Sequence, residues 1–221
     1  MTTSTTTAGQ GPGPRTTTAG QEPGPRTTTA GEGPGRRRPA RDRRPSTAAD
    51  AVALADARLV VGSPIGPLLL AGTGAVLTHL CLPSTGLAEL GSAGAGSPAS
   101  AALRLAARQL EEYFAGRRRS FDLPLGPAGT PFQVSVWLAL ETIPYGRTVT
   151  YAELARRVGR PRACRAVGQA NGANPLPIVY PCHRVVAAGG RLGGYGGGLD
   201  VKRRLLRLEG AGLGAAGAAS H

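Results

Sequence analysis

The stretch Thr150–Asn171, TYAELARRVGRPRACRAVGQAN, carries the signals of two helices joined by a short turn. Thr150 and Glu153 have the spacing of a capping box, in which a hydroxyl and a carboxylate each accept a backbone N–H at a helix start. They predict a helix over Tyr151–Val158. Gly159 follows it and is the residue type that most often ends a helix in the left-handed conformation.

A second helix is predicted after this turn, from Pro161 to about Asn171. Proline favours the first position of a helix, because its missing N–H would have no partner there. Two helices joined by a short glycine-containing turn form the helix-turn-helix pattern. Five arginines fall on this unit: Arg156, Arg157, Arg160, Arg162 and Arg165. They indicate either a DNA-binding face or an ordinary two-helix corner with solvated arginines.

Residues 51–128, further upstream, predict a small α/β domain. Two strands, Leu68–Leu70 and Val76–Leu77, are joined by a turn at residues 72–74. A loop over 84–98 then leads to a helix over Pro98–Ala115, whose apolar side chains recur with helical spacing.

Residues 129–213 predict a second, mostly helical domain that contains the helix-turn-helix. Its first helix is expected over Phe132–Leu140 and its last over Asp200–Leu208. Residues 214–221 are expected to form a flexible tail. The fold class is therefore α+β.

The first 50 residues contain an 11-residue repeat that starts at Thr5, Thr16 and Thr27. The repeat has no large apolar side chain, so stacked copies would bury no core, and we expect residues 1–50 to be disordered. The segment ends in a basic run over Arg36–Arg44. This run is either a loose phosphate-binding arm or, as we favour, a solvated extension.

The charge and cysteine content narrow the partner and the compartment. The net charge of +13 and the isoelectric point of about 11.2 favour a polyanionic partner, nucleic acid before membrane. Three cysteines, an odd number, argue against a disulfide framework. With no long apolar run and no secretory signal, we expect a cytoplasmic, nucleoid-associated monomer. The ratio of 25 arginines to one lysine suggests a bacterium with a GC-rich genome.

The residues Asn174–Val186, NPLPIVYPCHRVV, carry the chemistry. Three prolines restrict the backbone, and Ile178–Tyr180 is expected to be a short extended run. Cys182 follows a proline and precedes His183 and Arg184, which offer a base and a positive charge to activate a thiol. The alternative is a buried structural cysteine.

Other chemistries find little support in the sequence. The three cysteines lack the spacing of a zinc site, so no metal is expected. No serine-hydrolase or phosphate-loop motif is present.

Taken together, these motifs resemble the O6-alkylguanine-DNA alkyltransferases over about residues 57–213. The resemblance rests on Pro181–Val185 (PCHRV), Asn174-Pro175, Gly194–Leu199 (GYGGGL), Leu208–Gly210, Ser63–Leu68 (SPIGPL), Leu110–Gly116 (LEEYFAG), Thr130–Trp137, Ile143–Gly146 and Thr150-Tyr151. It implies a ribonuclease-H-like N-terminal domain followed by a winged helix-turn-helix domain.

The resemblance implies a reaction in which an alkyl group passes irreversibly from O6 of guanine in double-stranded DNA to Cys182. O4-alkylthymine is a further candidate substrate. His183, acting through a water, would deprotonate the thiol, and Glu209 would complete the relay. Each molecule would act once, without a cofactor.

The resemblance also assigns the remaining site residues. Tyr151 would contact the extruded guanine and its phosphate and donate a proton, Arg165 would fill the space left in the duplex, and Asn174 would brace the turn before the active-site strand. The other expected DNA contacts are Arg162, Gln169 and Ala170. The alkyl pocket is expected to involve Val185, Tyr195, Gly196, Pro177 and Trp137, with backbone groups of Cys182 and Val185 reading the guanine edge.

Two positions depart from the family pattern. Gly196 stands where many members carry a side chain such as serine that donates towards O6, which leaves room for larger alkyl groups. Gln169 stands where a small residue is common in the recognition helix. Two other functions remain open: a DNA-binding regulator that performs no chemistry, and a hydrolase that uses Cys182 and His183 on a small substrate.

Overall fold

The computed structural model describes residue 13 and residues 48–73, 75–86 and 101–212. The chain divides into Met1–Arg43 and Arg44–His221, and every element below lies in the second unit. Most of the predicted tail over 1–50, most of the predicted 84–98 loop and the predicted C-terminal tail lie outside the described residues. Helix α1, Ala48–Ala53, begins inside the stretch that was predicted to lack structure.

A three-stranded antiparallel sheet forms the first part of the fold. Its strands are β1 (Ala57–Val61), β2 (Leu68–Thr73) and β3 (Val76–Cys81), and helix α2 spans Ala101–Phe114. The sequence predicted two of these three strands. It missed β1, whose five residues are mostly half-buried and so lack a clear in-out alternation.

The central strand β2 is apolar on both faces because both faces are covered. Leu68 and Leu70 join the main core with the apolar side of α2, whereas Leu69 and Ala71 pack with Val52 of α1. This double burial explains why the strand reads as a continuous apolar run.

Four helices and a short parallel strand pair form the second part and confirm the predicted α+β class. They are α3 (Pro131–Glu141), β4 (Val149–Thr150), α4 (Tyr151–Arg157), α5 (Cys164–Gly172), β5 (Val185–Val186) and α6 (Leu199–Leu208). Among the residues described, no helix has the length and apolar character needed to cross a bilayer.

The predicted capping box at the start of α4 is confirmed. The Thr150 hydroxyl accepts the Glu153 N–H at 3.2 Å, and the Glu153 carboxylate accepts the Thr150 N–H at 2.6 Å. The predicted start of the next helix at Pro161 is wrong, because α5 begins at Cys164. Residues 161–163 instead form a separate turn closed by the Ala163 N–H on the Arg160 carbonyl.

The extended run predicted over Ile178–Tyr180 is also wrong. Ile178 has φ of +76°, and the chain makes a turn in which the Tyr180 N–H donates to the Leu176 carbonyl. The Asn174 side chain closes the turn from both sides, since it accepts the Leu176 N–H and donates to the Tyr180 carbonyl. These bonds hold a β-branched residue in a conformation that costs about 1–3 kcal/mol.

The β4–β5 pair sets the geometry of the site. Val149 pairs with Val185 and Thr150 with Val186, so the start of α4 lies beside the segment that follows Cys182. Because β4 runs directly into α4, Tyr151 is carried to the same place.

The turn at Gly146 packs tightly against the end of α6. Gly146 has φ of +74°, and a Cβ there would lie 2.7 Å from the Glu209 carbonyl oxygen. We therefore expect Gly146→Ala to destabilise the fold by at least about 2 kcal/mol, measured by urea unfolding. Gly172→Ala, at a helical glycine with no neighbour within 4 Å, is the control and should be neutral or stabilising. Equal stability of the two variants would contradict this account.

Candidate active site

Cys182 lines a cavity of about 1180 Å³. The cavity wall also contains Tyr151, Asn174, Pro177, Tyr195 and Gly196, all predicted as site residues. The structure thus brings together residues that lie up to 45 positions apart in the sequence, as Tyr151 and Gly196 do.

The Cys182 thiol is buried, with 5 % of the residue exposed. Burial raises the pKa of Cys182 to about 11, against the opposing effects of a hydrogen bond from Asn174, the charge of Lys202 and the backbone N–H groups of Cys182 and His183. The resting thiol therefore keeps its proton at neutral pH, and attack by sulfur requires a base.

His183 follows Cys182 in a short 3-10 turn and is completely buried. Its Nε2 is 2.9 Å from Oε1 of Glu209, while its Nδ1 has no hydrogen-bond partner among the described residues. Burial lowers the pKa of His183 below its ordinary value of 6.5, although Glu209 acts in the opposite direction. The imidazole is therefore neutral at neutral pH and able to accept a proton.

Glu209 follows the last residue of α6 and accepts five hydrogen bonds. The donors are the Tyr113 hydroxyl, the Gly146 N–H, His183 Nε2, and Nε and Nη2 of Arg184. Burial raises the pKa of Glu209, but the hydrogen bonds and charges of His183 and Arg184 outweigh it and lower this pKa to about 2.

Arg184 lies against Glu209, whereas the sequence suggested that its charge acts on the Cys182 thiol. Its guanidinium forms a bidentate pair with Glu209, at 2.8 and 2.9 Å, and donates to the Ile143 carbonyl at 2.6 Å. The cation whose charge lowers the pKa of the Cys182 thiol is instead Lys202.

Sequence reasoning missed Lys202, which is completely buried in α6. Its ammonium donates to the carbonyls of Val185, Leu192 and Gly194, and so ties α6 to the segment between Cys182 and Tyr195. Burial lowers the pKa of Lys202 to about 8. The available signal was that this residue is the one lysine in the chain.

Tyr151 and Tyr195 place two phenols near the thiol. Burial, followed by the Cys182 charge, raises the pKa of both. The Tyr195 hydroxyl is buried beside the Cys182 sulfur.

The helix-turn-helix presents a basic face. All five of its arginines are exposed, as is Gln169. Ala170 does not belong to this face: it is 3 % exposed, and its carbonyl accepts the Trp137 indole N–H at 2.8 Å. Ala170 therefore lies on the buried side of α5, and its contact with DNA stays a prediction.

Two residues predicted for the alkyl pocket lie behind its wall. Trp137 is buried between α3 and α5 and does not line the cavity. Val185 is completely buried, its N–H donates to the Cys182 carbonyl, and its own carbonyl accepts from Lys202. Both residues support the site from beneath.

No group of three or more His, Cys, Asp or Glu side chains that could hold a metal ion occurs in the described part of the chain. The site contains a thiol, together with a neutral imidazole that is hydrogen-bonded to an ionised carboxylate. This arrangement suits proton removal from sulfur followed by nucleophilic attack.

Two family models match the chain. One is described as 6-O-methylguanine DNA methyltransferase, ribonuclease-like domain, and matches residues 59–127. The other is described as 6-O-methylguanine DNA methyltransferase, DNA binding domain, and matches residues 131–211.

Relatives match at about half identity over nearly their whole length. A methylated-DNA–protein-cysteine methyltransferase of Methanosarcina acetivorans is 50 % identical over 67 % of this chain and 95 % of its own. One of Mycobacterium bovis is 51 % identical over 67 % of this chain and 89 % of its own. The crystal structure of Mycobacterium tuberculosis OGT in complex with DNA superposes with a TM-score of 0.60 at 50 % identity, covering 68 % of this chain and 91 % of that one.

The burial of Glu209 predicts a stability effect with a defined pH dependence. Glu209→Gln leaves Arg184 with an uncompensated buried charge, and we expect a loss of about 3–5 kcal/mol at pH 7 in urea unfolding. The pKa of Glu209 is lower in the folded than in the unfolded protein. The contribution of Glu209 to the free energy of unfolding is therefore complete above about pH 4.5 and is lost as the pH falls towards about 2. The difference in the free energy of unfolding between wild type and Glu209→Gln should therefore decrease over this pH range.

Glu112→Gln is the matched control for this measurement. Glu112 pairs with Arg118 at 2.6 Å, but the pair is partly exposed, so the change should cost less than about 1 kcal/mol. A loss for Glu209→Gln no larger than the control would contradict the argument.

Proposed function

Because the chain belongs to the 6-O-methylguanine DNA methyltransferase family, we propose that it repairs DNA by moving the alkyl group from O6 of guanine to Cys182. The observation that carries this proposal is the Cys182 thiol in the wall of the cavity, followed in the chain by a buried His183 that is hydrogen-bonded to the buried Glu209. We assign residues 129–213 to DNA binding and chemistry, and residues 51–128 to the supporting N-terminal domain.

The reaction begins with removal of the thiol proton. His183 is the base, and its unpaired Nδ1 supports proton transfer through one bridging water, because a buried polar atom of this kind is normally satisfied by water. The sulfur then attacks the alkyl carbon, the S–C bond forms as the C–O6 bond breaks, and the electron pair stays on the guanine. The guanine recovers a proton, so the sum is alkylguanine plus thiol giving guanine plus thioether.

Glu209 supports the base in two ways. Its Oε1 fixes the orientation of the imidazole through Nε2, and its negative charge stabilises the imidazolium that forms during transfer. Arg184 holds this carboxylate ionised in a buried place, which keeps it from taking the proton itself.

The cavity residues position the base and assist its departure. Tyr151 donates a proton to the leaving guanine, and Tyr195 and Pro177 flank the alkyl group. Asn174 holds the turn over residues 174–180, and its side chain lowers the pKa of the Cys182 thiol. Gly196 has no atom within 4 Å of where a Cβ would lie, so the cavity admits alkyl groups larger than methyl and makes O4-alkylthymine a second substrate to test.

A guanine inside a duplex is out of reach of a buried thiol, so it must leave the stack. Arg165, exposed on α5, fills the space that the base leaves, while Arg162 and Gln169 contact the phosphate backbone.

The thioether formed on Cys182 is stable, so each molecule acts once. We place the protein as a monomer in the bacterial cytoplasm, near the nucleoid.

Intact-mass analysis after incubation with a duplex that carries one O6-methylguanine tests the chemistry. We expect one added methyl group per chain, mapped to Cys182, and repair that stops at one equivalent. Cys182→Ala should bind the duplex but gain no mass, whereas Cys164→Ala should behave as wild type. Repeated turnover would indicate a hydrolase, and lesion binding without methylation would indicate a recognition protein.

DNA binding is tested by Arg165→Ala with Arg207→Ala as the control, because both arginines are exposed but Arg207 lies on α6. We expect Arg165→Ala to slow the single-turnover transfer by about tenfold or more, since the extruded base loses the group that replaces it. Arg207→Ala should leave the rate unchanged. The same effect in both variants would indicate a general loss of charge.

A further inference from the structure

Tyr113 lies in the last turn of α2 and is completely buried. Its hydroxyl donates to Oε1 of Glu209 at 2.8 Å, across 96 positions of sequence. The N-terminal part of the fold therefore reaches the carboxylate that supports the base.

Three donors converge on Oε1 of Glu209: the Tyr113 hydroxyl, His183 Nε2 at 2.9 Å and Arg184 Nη2 at 2.9 Å. Donors that share one carboxylate oxygen also share its charge, so each weakens the hold of that oxygen on the others. The strength of the bond to His183 thus depends on whether Tyr113 donates.

The phenol is a permanent donor at this position. Burial, with a further effect of Glu209, raises the pKa of Tyr113 far above the physiological range. Its ring is held by contacts with Phe114, Phe121 and Tyr145, at centroid distances of 5.3, 5.6 and 6.2 Å. The hydroxyl is therefore fixed in place as well as protonated.

We propose that Tyr113 is a positioning residue for the proton relay. Its hydroxyl fixes Oε1 of Glu209 and draws off part of its charge, so that His183 remains neutral and ready to accept the thiol proton. The inference deepens the proposed function and rests on it for the role of His183. It gives the N-terminal domain a part in the chemistry that acts through Glu209.

The bond also explains a feature of the buried network. Glu209 favours a proton on His183, against the effect of burial, and an imidazolium in the resting protein could not act as the base. The charged groups that act on His183 are Glu209, Arg184 and Lys202. The backbone N–H of His183 donates to the Cys182 sulfur, and the Tyr113 hydroxyl donates to the Glu209 carboxylate. Tyr113 is a neutral group that donates to the same carboxylate oxygen as His183.

Tyr113→Phe removes the hydroxyl and keeps the ring. The freed Oε1 holds an imidazolium more strongly, so the pKa of His183 should rise by about half a unit or more. NMR titration of the His183 imidazole measures this directly, since the chain has only three histidines. Because the neutral imidazole is the active form, the acid limb of the single-turnover rate should move to higher pH. The rate should fall about threefold on that limb and stay within about twofold of wild type above it.

Tyr145→Phe is the matched control, because Tyr145 belongs to the same ring cluster but its hydroxyl donates to the Leu208 carbonyl at 3.0 Å. It should leave the His183 titration unmoved. In a Glu209→Gln background, Tyr113→Phe should also have no effect on that titration, as the coupling runs through the carboxylate.

An unmoved titration in Tyr113→Phe would overturn the proposal, as would a uniform loss of rate at all pH with a lower Tm, the signature of a structural role. Methylation of wild-type Cys182, measured in the same samples, reports on the proposed function separately. The His183 titration decides the role of Tyr113 whether or not transfer occurs.

Discussion

The buried carboxylate of Glu209 is the interaction on which the rest of the structure depends. It receives the Tyr113 hydroxyl from α2, the Gly146 N–H from the turn before β4, and His183 and Arg184 from the segment after Cys182. A buried carboxylate is costly unless its lone pairs are satisfied, so each of these segments must be in place for the others to be stable. The fold and the proposed proton relay therefore both require that the Glu209 carboxylate is fully hydrogen-bonded.

Burial has two opposing effects on the chemistry of the site. A thiol shielded from water holds its proton more tightly, as the raised pKa of Cys182 shows, yet a shielded site is where a fixed base and fixed dipoles act most strongly. The same burial that disfavours the thiolate also keeps His183 neutral and able to take the proton. Lys202 and the N–H groups around the sulfur then favour the anion at the moment it forms.

Much of the fold could be predicted because its signals are local. Neighbouring residues alone determine the capping box at Thr150 and Glu153 and the turns at glycines. The apolar spacing of α2 likewise indicates a helix without knowledge of its tertiary contacts. Ile178 could not be predicted, since nothing in a β-branched residue indicates positive φ, and the cause lies in the Asn174 side chain and in packing. The prediction for Arg184 was wrong for a similar reason. Its position two residues after Cys182 suggested that its charge acts on the thiol, but a 3-10 turn directs its side chain to Glu209.

Lys202 shows what sequence reasoning can still recover once burial is considered. In a chain that otherwise uses 25 arginines, a single lysine indicates a place where a guanidinium does not fit. Three backbone carbonyls converge on its ammonium, a compact charge with three donors, whereas a planar fork would leave donors unpaired in a buried site. The residue therefore follows from two constraints together, the need for a cation near Cys182 and the need to satisfy the carbonyls of the segment that leads to Tyr195. The first constraint requires only a positive charge, and the second explains why arginine does not replace Lys202.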